Sequence, residues 1–588
     1  MKNIKKLQYI ISLSGKKETF LLLVMIIVSA LLETLGVASI LPFMTVLSNP
    51  ELIANNHIFN EIFEIFKLFG VRNSQSFLFA LGLLFFILLI LSILFKAATM
   101  YLEVRYTQLR EYEISKRLIK IYLDQPYSWF LNENSADLGK NILSEVNQVI
   151  GGGLKPLISL ITKAFLAFTI IILLILVDLK ITIMVSLTLG ISYGLIFKFA
   201  RGYLNRIGGD RLKSNQERYT IVNEAFGAVK EVKVGGLEKF FIDRFSAPAK
   251  VFATKQSSAS VISQLPRFGL EIVAFGGIIL LILYLIQKTG NFNSALPLIS
   301  LYALASYRLL PAIQQIYGSL TLITFVGPSL DKLHDDLKNF ETQNKIFDMD
   351  QVEFNNQILL KDISYSYPNS SRTVLDNINI KIDAKTTVGF VGTTGSGKTT
   401  TVDIILGLLE AKSGFLEVDG KIINEQNKRS WQSIIGYVPQ QIYLSDDTIS
   451  SNIAFGIPKK KIDDMAVKKA AKIANLHEFV INELPQKYET FVGERGVRLS
   501  GGQRQRIGIA RALYHNPKVL ILDEATNALD NQTEKAVMDA VNSLSNNITI
   551  ILIAHRLNTV QKCDNIFLLE DGKIKSQGKF DDLFNKKI

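Results

Sequence analysis

The stretch that decides the fold is "VGFVGTTGSGKTT", residues 388–400. Small and apolar residues lead into a glycine-rich loop, and Gly392 to Thr399 match the spacing G-x-x-x-x-G-K-[ST]. Glycines at this spacing let backbone N–H groups turn inward around phosphate oxygens, and the following helix adds its positive dipole end. In this motif the lysine, here Lys398, reaches the outer phosphates, and the Thr399 hydroxyl is placed for Mg²⁺. The segment therefore predicts the phosphate loop of an α/β domain, formed by Gly392, Thr393, Thr394, Gly395, Ser396, Gly397, Lys398, Thr399 and Thr400.

A second segment, "KVLILDEATNALD" at residues 518–530, has the pattern of a buried strand that ends in a carboxylate. Asp523 at the end of this strand is placed to enter the shell of a Mg²⁺ ion. Glu524 follows it, where a carboxylate can orient or activate a water molecule. Alone this pattern is a weak signal, but with the phosphate loop it indicates nucleotide hydrolysis.

Between the two lies "LSGGQRQRIGIARAL", residues 499–513. Ser500, Gly501 and Gly502 form another backbone-rich loop at a helix start, which is a ready anion site. The run from Leu499 to Gln503 resembles the signature of the ATP-binding cassette ATPases, and the three motifs occur in that family's order.

The resemblance implies further roles for single residues. Tyr367 is similar to the aromatic residue that stacks on adenine, and Gln440 in "GYVPQQ" to the glutamine that senses the γ-phosphate and Mg²⁺. His555 in "LIAHR" resembles the switch histidine that acts with Glu524 in catalysis. The remaining family positions are Ser500, Gly501, Gly502 and Gln503 at the nucleotide, Asp530 facing the partner site, Glu494 in "VGERG" facing the membrane domain, and Asn527 where the family usually has Ser.

The first half of the chain has a different composition. The whole chain is 48% apolar and 20% charged, too apolar for a typical soluble enzyme of 588 residues. Long apolar runs, each able to cross a hydrocarbon core of about 30 Å, predict six membrane spans. These spans lie near residues 20–47, 77–99, 155–177, 181–199, 268–286 and 295–325.

Lys and Arg residues set the orientation of these spans. Segments 101–150 and 200–262 are rich in them, whereas loop 48–76 holds only Lys67 and Arg72. Because basic loops stay in the cytoplasm, both termini and the cassette are expected inside. Loop 48–76 also contains an apolar stripe at helical spacing, formed by Phe59, Ile62, Phe63, Phe66 and Phe69. This helix either packs on its neighbours or lies on the outer membrane surface.

These features predict a membrane α-helical bundle of the exporter type, fused to an α/β P-loop cassette ATPase. We expect a transmembrane domain at 1–330, a linker at 331–355 and a cassette at 356–588. Segments 124–139 and 223–245 resemble the two coupling helices of exporter half-transporters. In this family the phosphate loop of one cassette faces the signature loop of another, so one of each per chain implies a homodimer that hydrolyses ATP with Mg²⁺.

The cargo must be sought among charged residues in the spans, because family membership leaves it open. These residues include Glu33, Lys96, Lys163, Arg267, Glu271 and Arg308. Snorkelling or ion pairing explains some of them, and Arg267 with Glu271 has the i,i+4 spacing of a helix pair. Otherwise Lys96, Arg267 and Arg308 would face a polar cavity and bind an anionic group such as a pyrophosphate.

A weaker resemblance supports the interpretation that these basic residues bind an anionic group of the cargo. The segments "ETLGVASILPFMTVLSNP" at 33–50, "LPRFGLE" at 265–271 and "YRLLP" at 307–311 are similar to parts of bacterial lipid-linked oligosaccharide flippases. In those flippases basic side chains hold the polyprenyl pyrophosphate, and Lys96, Arg267 and Arg308 occupy matching positions. Gln315 stands where another Arg is expected.

The sequence thus predicts an ATP-driven flippase of a lipid-linked glycan in the bacterial cytoplasmic membrane. An exporter of another anionic amphiphile, such as a lipid A-like lipid, a drug or a peptide, is the alternative. The net charge of +12 fits cytoplasmic loops, so no nucleic-acid partner is expected. Six spans argue against a soluble cassette ATPase, and intact Lys398, Asp523, Glu524 and His555 argue against an inactive cassette.

Overall fold

The computed structural model folds into two compact units. Met1–Gln125 and Glu133–Asn344 form the first, and Pro126–Asn132 with Lys345–Ile588 form the second. The described residues are 2–12, 15–51, 53, 56–68, 70–289, 292–339, 351–368, 370, 372–525, 531–544, 547–554 and 556–584.

The first unit is helical. The helices from residue 2 to residue 339 are α1 (Lys2–Ser12), α2 (Lys16–Ala38), α3 (Ile40–Ser48), α4 (His57–Lys67), α5 (Ser74–Leu123), α6 (Tyr127–Phe130), α7 (Ser135–Val177), α8 (Leu179–Gly227), α9 (Val229–Val234), α10 (Glu238–Gln264), α11 (Pro266–Thr289), α12 (Phe292–Phe325) and α13 (Gly327–Asn339). All of them belong to the first unit except α6, which belongs to the second. The predicted coupling segments thus contain the short helices α6 and α9.

Among the described residues, five helical segments are long and apolar enough to cross a membrane. They are Lys16–Ser48, Ser74–Leu123, Ser135–Val177, Thr182–Gly227 and Leu296–Phe325. The remaining predicted span, 268–286, lies within α11, whose 24 residues give about 36 Å of helical rise. Several side chains of α11 are outside the described part of the chain.

An apolar core joins the spanning helices. Buried residues of α2, α7 and α12 pack together, among them Ala30, Ile170, Leu301 and Ala305. Small residues let the helix backbones approach closely, as is usual between helices in a membrane. This packing fixes α2, α7 and α12 side by side, which matters for the charged residues they carry.

Helix α4, in loop 48–76, packs its apolar face on the neighbouring helix α5. The rings of Phe63 and Phe66 meet that of Phe77 edge to face, with centroids 5.2 and 5.8 Å apart. The apolar stripe of α4 therefore packs on a neighbouring helix, which is one of the two arrangements expected from the sequence. Ile58 and Leu68, on the other faces of the segment, are exposed. Phe69 lies outside the described residues, and contact with the membrane surface stays a prediction.

Helix α7 is continuous but contains two π-helical turns, Asn141–Glu145 and Ile150–Leu154. Glu145, in the first turn, is fully buried and forms an ion pair with buried Arg211 of α8. Arg211 also donates to Ser329 Oγ at 2.7 Å, and Asn215 donates to Glu145 at 2.7 Å. Because each polar group has a partner, this buried network links α7, α8 and α13 without leaving a charge uncompensated.

The second unit is an α/β domain. Its strands are β1 (Gln357–Tyr365), β2 (Leu375–Asp383), β3 (Thr387–Gly392), β4 (Ser413–Val418), β5 (Lys421–Ile422), β6 (Ile435–Val438), β7 (Val519–Asp523), β8 (Thr549–Ile553), β9 (Asn565–Glu570) and β10 (Lys573–Gly578). Its α-helices are α14 (Lys398–Ile405), α15 (Lys428–Ser433), α16 (Ile449–Ile453), α17 (Asp464–Ile473), α18 (His477–Asn482), α19 (Gly501–Leu513), α20 (Asn531–Asn542) and α21 (Phe580–Phe584).

Two sheets form this domain. One is antiparallel, in the order β2-β1-β4-β5, and the other has the order β10-β9-β3-β8-β7-β6. In the second sheet β9, β3, β8, β7 and β6 are parallel and β10 is antiparallel. Leu520 and Leu522 of β7 enter one core, while Val519 and Ile521 enter the other. The strand is buried on both faces, as parallel strands usually are, so ligands are expected at the carboxyl ends of the strands.

Candidate functional site

The phosphate loop runs from the end of β3 to the start of α14, and its backbone requires glycine. Gly392 has φ +156° and Gly397 has φ +99°. A Cβ atom on Gly392 would lie 2.2 Å from the carbonyl oxygen of Leu569, and one on Gly397 would lie 2.6 Å from Leu375 Cδ2. The loop therefore keeps its shape only because these two positions have no side chain.

Lys398 is folded back onto this loop. Its Nζ donates to the carbonyl oxygens of Gly392 and Thr393, both at 2.9 Å, and burial lowers the pKa of the amine. Thr400 Oγ1 lies 3.0 Å from the Tyr367 hydroxyl, and the Tyr367 ring meets that of Tyr365 edge to face. The predicted adenine-stacking residue is therefore hydrogen-bonded to the predicted phosphate-binding helix.

The predicted catalytic carboxylate lies at the same edge of the sheet. Asp523 ends β7 and is buried, and Glu524 follows it with a left-handed φ of +50°. The Gln440 side chain, which follows β6, donates from Nε2 to Glu524 Oε2 at 2.9 Å. A non-glycine residue in this backbone region is strained, and such strain is common at functional sites.

The signature-like loop has a well-defined helix start. Ser500 Oγ accepts from the Gln503 amide at 3.2 Å, and Gln503 Oε1 accepts from the Ser500 amide at 2.8 Å, which forms a capping box at α19. Gly501 and Gly502 form its first turn, so N–H groups at this helix end are available to an anion. Nearby, Glu494 begins a short 3₁₀ helix, Glu494–Gly496. His555, Asn527 and Asp530 lie outside the described residues.

Asp403 of α14 is a buried carboxyl that the sequence reading missed. Burial raises its pKa to about 6, and the negative charge of Asp523 acts in the same direction. The pKa of the Tyr127 phenol in α6 is raised by burial and by the charge of Asp403. The first predicted coupling helix therefore lies within electrostatic range of the helix that follows the phosphate loop. No sequence motif marks Asp403, since its surroundings come from distant segments.

These residues fit an ATP molecule with Mg²⁺. The Ser396 hydroxyl is buried inside the loop and, within the described part of the chain, has no hydrogen-bond partner. A buried hydroxyl without a partner is costly, and phosphate oxygens would supply one. Lys398 and the loop amides offer positive charge to the phosphates, while Thr399, Gln440 and Asp523 offer the oxygen ligands that Mg²⁺ prefers.

A second group of charged residues lies among the spanning helices. Glu33 of α2 has a buried side chain, whose Oε2 is 3.3 Å from Lys96 Nζ and 3.5 Å from Arg308 Nη1. Lys96 belongs to α5 and Arg308 to α12, and Lys163 of α7 lies within electrostatic range of all three. Two of the three predicted cargo-binding residues are therefore brought together, on a carboxylate that the sequence did not connect to them.

Arg267, the third predicted residue, forms a different ion pair. Its Nε donates to Glu271 Oε1 at 2.7 Å, one turn along α11, and both side chains are exposed. This is the i,i+4 pair that the spacing suggested as an alternative. Gln315 of α12 is also exposed. Whether any of these side chains binds cargo stays a prediction.

Long apolar helices and an α/β unit with a phosphate loop, carried by one chain, define a membrane transporter that uses ATP. The family model for the ABC transporter transmembrane region matches residues 19–308, and that for the ABC transporter matches residues 375–527. The chain belongs to the ABC transporter family, as a half-transporter with one transmembrane region and one nucleotide-binding domain.

Whole-chain similarities agree with this assignment. An "ATP-dependent lipid A-core flippase" of Saccharophagus degradans is 31% identical over 480 residues, which cover 79% of this chain and 78% of that protein. A "Putative multidrug export ATP-binding/permease protein YgaD" of Bacillus subtilis is 27% identical over 489 residues, 81% of each chain. The solved "Structure of a bacterial Atm1-family ABC exporter with ATP bound" superposes with a TM-score of 0.78 at 20% identity, covering 96% of both chains.

Several expectations are confirmed by these findings. The fold is an exporter-type helical membrane domain fused to an ABC ATPase, as predicted. ABC exporters couple ATP hydrolysis to transport, and the chain is an enzyme of this kind. An ABC ATPase domain implies ATP binding, typically with Mg²⁺, and half-transporters of this type typically function as dimers, whereas a homodimer of this chain stays a prediction.

Proposed function

We propose that the chain is an ATP-driven flippase of a lipid-linked oligosaccharide, a glycan carried on polyprenyl pyrophosphate. It acts as a homodimer in a bacterial cytoplasmic membrane, with the cassette on the cytoplasmic side. The single observation that carries the cargo assignment is the cluster of Lys96, Lys163 and Arg308 around Glu33. Three cations near one carboxylate leave positive charge inside spanning helices, where charge is costly unless an anion or water meets it.

In the proposed mechanism, ATP is bound and hydrolysed by the groups at the carboxyl edge of the sheet. Lys398 and the loop amides hold the phosphates, Tyr367 stacks on the adenine, and Thr399, Gln440 and Asp523 hold the metal. Mg²⁺, when bound, neutralises charge on the phosphate oxygens. Glu524 accepts a proton from the attacking water, while the hydrogen bond that Gln440 donates to its Oε2 at 2.9 Å orients the carboxylate.

In the homodimer each nucleotide is shared between two chains. The capped start of α19, with Ser500, Gly501, Gly502 and Gln503, faces the phosphates bound by the partner's loop. His555 assists at the γ-phosphate, and Asp530 contacts the partner site. ATP is therefore needed to close the two cassettes on each other, which gives the membrane helices their two states.

Flipping assays in reconstituted vesicles test the cargo. The double variant Lys96→Gln/Arg308→Gln should keep its nucleotide-dependent ATPase activity but transport a labelled polyprenyl pyrophosphate glycan at least about tenfold more slowly, since its charge-assisted contacts are gone. Arg267→Gln, made separately, tests whether that arginine belongs to the site. Lys67→Gln is the matched control, because Lys67 forms an exposed ion pair with Glu64 outside the charged cluster and the coupling segments. Unchanged flipping in the double variant would exclude this site.

A lipid A-like lipid is the second candidate cargo, favoured by similarity to lipid A-core flippases at 29–31% identity. Its phosphate groups suit the same cations. Mass spectrometry of lipids that co-purify with the protein distinguishes the two, since only the first cargo carries a polyprenyl chain. Recovery of lipid A alone would overturn the proposed glycan cargo.

A further inference from the structure

Glu33 lies where four spanning helices meet. It is carried by α2, while its neighbours Lys96, Lys163 and Arg308 come from α5, α7 and α12. At 1.5 Å per residue, Glu33 lies about 22 Å from the end of α3, and Lys163 about 21 Å from the end of α7. Both ends adjoin loops predicted to be extracytoplasmic. The group therefore lies well away from the outer ends of the spans, in the half of the membrane domain that is nearer the predicted cytoplasmic side.

The charges of this group do not balance. Lys96, Lys163 and Arg308 carry three positive charges against one on Glu33. Glu103, which accepts from Thr162 Oγ1 at 2.8 Å and lies within range of Lys163, supplies a second negative charge. The sum stays positive even when Glu103 is counted. The Lys96 side chain is 42% exposed. An unmatched positive charge among spanning helices is costly unless water or an anion meets it, so an anion is expected to approach this group from the exposed side of Lys96.

The contacts to Glu33 are also long. Both cations approach the same atom, Oε2, at 3.3 and 3.5 Å, whereas charge-assisted hydrogen bonds in proteins are usually about 2.7–2.9 Å. One carboxylate oxygen of Glu33 thus lies between the Lys96 ammonium and the Arg308 guanidinium, at a long distance from each. A phosphate group presents several oxygens to the same two cations, and the planar Arg308 guanidinium suits two of them at once.

From this geometry we propose that Glu33 is an internal counter-ion. It occupies the anion position between Lys96 and Arg308 while no cargo is bound, and a phosphate group of the transported lipid replaces it there. This inference rests on the proposed function, in that the cargo carries phosphate, but it does not depend on which phosphate-bearing lipid is transported.

The counter-ion makes the site selective by charge. A headgroup with one negative charge, such as phosphatidylglycerol, gains little by displacing a carboxylate of equal charge. A pyrophosphate or a phosphate monoester, with about two charges, gains attraction that the carboxylate could not supply. Glu33 would thus exclude the abundant monoanionic lipids of the bilayer and admit the doubly charged cargo.

The test uses full-length protein in phosphatidylcholine nanodiscs, with ATPase stimulation as the readout. The probes are phosphatidylglycerol, polyprenyl pyrophosphate and a lipid A phosphate. We expect wild-type protein to respond to a doubly charged probe at least about tenfold more sensitively than to phosphatidylglycerol. In Glu33→Gln, phosphatidylglycerol should bind and compete, so that this ratio falls by about tenfold. Glu64→Gln, which removes an exposed partner of Lys67, should keep the wild-type ratio.

Lys163→Gln tests the same proposal and leaves the hydrogen bonds of Glu33 with Lys96 and Arg308 in place. It should weaken the response to the doubly charged probes several-fold and leave that to phosphatidylglycerol nearly unchanged. An unchanged selectivity ratio in folded Glu33→Gln, or an unchanged response in Lys163→Gln, would overturn the counter-ion. A preference for lipid A, still lost in Glu33→Gln, would keep the counter-ion and reject the glycan cargo.

Discussion

Gln440 donates a hydrogen bond to Glu524, with 2.9 Å between Nε2 and Oε2. The donor follows β6 and the acceptor follows β7, two neighbouring parallel strands, so the sheet itself sets this distance. The Glu524 backbone has a left-handed φ of +50°. The bond thus links the residue proposed to sense the γ-phosphate to the residue proposed to activate water.

Replacing Glu524 by Gln should abolish turnover and preserve ATP binding. The amide has the shape of the carboxylate and its oxygen can accept the same bond from Gln440, but it cannot take a proton from water. We expect steady-state ATPase activity to fall by about 10²–10⁴-fold, the usual contribution of a general base. Equilibrium binding of labelled ATP should stay close to wild type. Turnover at the wild-type rate would exclude Glu524 as the base.

Gly392→Ala should prevent nucleotide binding without unfolding the membrane domain. The new Cβ would lie 2.2 Å from the Leu569 carbonyl oxygen and 2.7 Å from Ser396 Oγ, so the loop must move. We expect ATP affinity to fall by at least about tenfold, because the loop amides lose their convergent arrangement. Gly420→Ala, between β4 and β5, is the control for strain, since its φ is +84° and its Cβ would meet no atom within 4 Å. Equal affinities in the two variants would show that the contact with Leu569 is unimportant.

Asp403→Asn should stabilise the protein, and more so at higher pH. The pKa of Asp403 is raised to about 6, so the folded state binds its proton more tightly than the unfolded state, and the fold loses stability as the pH rises from about 4 to about 6. Removing the charge should gain on the order of 1–2 kcal/mol at pH 8, after allowance for solvent screening. About half of that difference should remain at pH 5.

The melting temperature of the full-length protein at pH 5 and pH 8 measures this effect. Asp539→Asn is the control of opposite sign, because Lys562 lowers the pKa of the exposed Asp539 carboxyl. That variant should gain no stability at pH 8. If Asp403→Asn does not melt at a higher temperature than wild type at pH 8, the hypothesis that the ionised Asp403 carboxylate destabilises the fold is refuted.

Thiol labelling on intact cells should establish the topology. His57 in loop 48–76 and Lys460 in the cassette are exposed, whereas Asn452 is fully buried and unsuitable as a probe. Cys563 is buried and its thiol pKa is raised to about 12, so its background reactivity is low even before it is replaced by Ala. An impermeant reagent should label His57→Cys and spare Lys460→Cys until the cells are opened. Labelling of Lys460→Cys on intact cells would invert the topology.

The nucleotide site could be predicted from sequence because its parts are local. A phosphate loop needs glycines at fixed positions on one short segment, and Gly392 and Gly397 have the positive φ values that such a loop requires. The carboxylate strand is likewise recognisable from a run of apolar residues ending in Asp523. Parallel strands then bring these segments to one edge of the sheet without further information.

The charged cluster in the membrane could be predicted only in part. Arg267 and Glu271 are four residues apart, and their pairing follows from helix geometry. Glu33 lies 63 residues from Lys96 and 275 from Arg308, so that their meeting depends on how α2, α5 and α12 pack. A sequence shows which residues in the spans are charged. It does not show which partner neutralises each of them, because that partner lies on another helix.

The two π-helical turns of α7 have a consequence for insertions and deletions. Each such turn accommodates one residue more than an α-helical turn does, and one residue corresponds to about 100° of helix rotation. Lys163 lies nine residues beyond the second turn, Ile150–Leu154. Deleting a single glycine there would restore regular α-helix and leave Lys163 facing Glu33, whereas deleting one residue from the regular α-helical stretch between this turn and Lys163 would rotate Lys163 by about 100°. The segment "IGGGL" should therefore tolerate the loss of one residue better than the α-helical stretch that follows it, because only in the π-helical turn does a deletion keep the rotational register between the two polar networks.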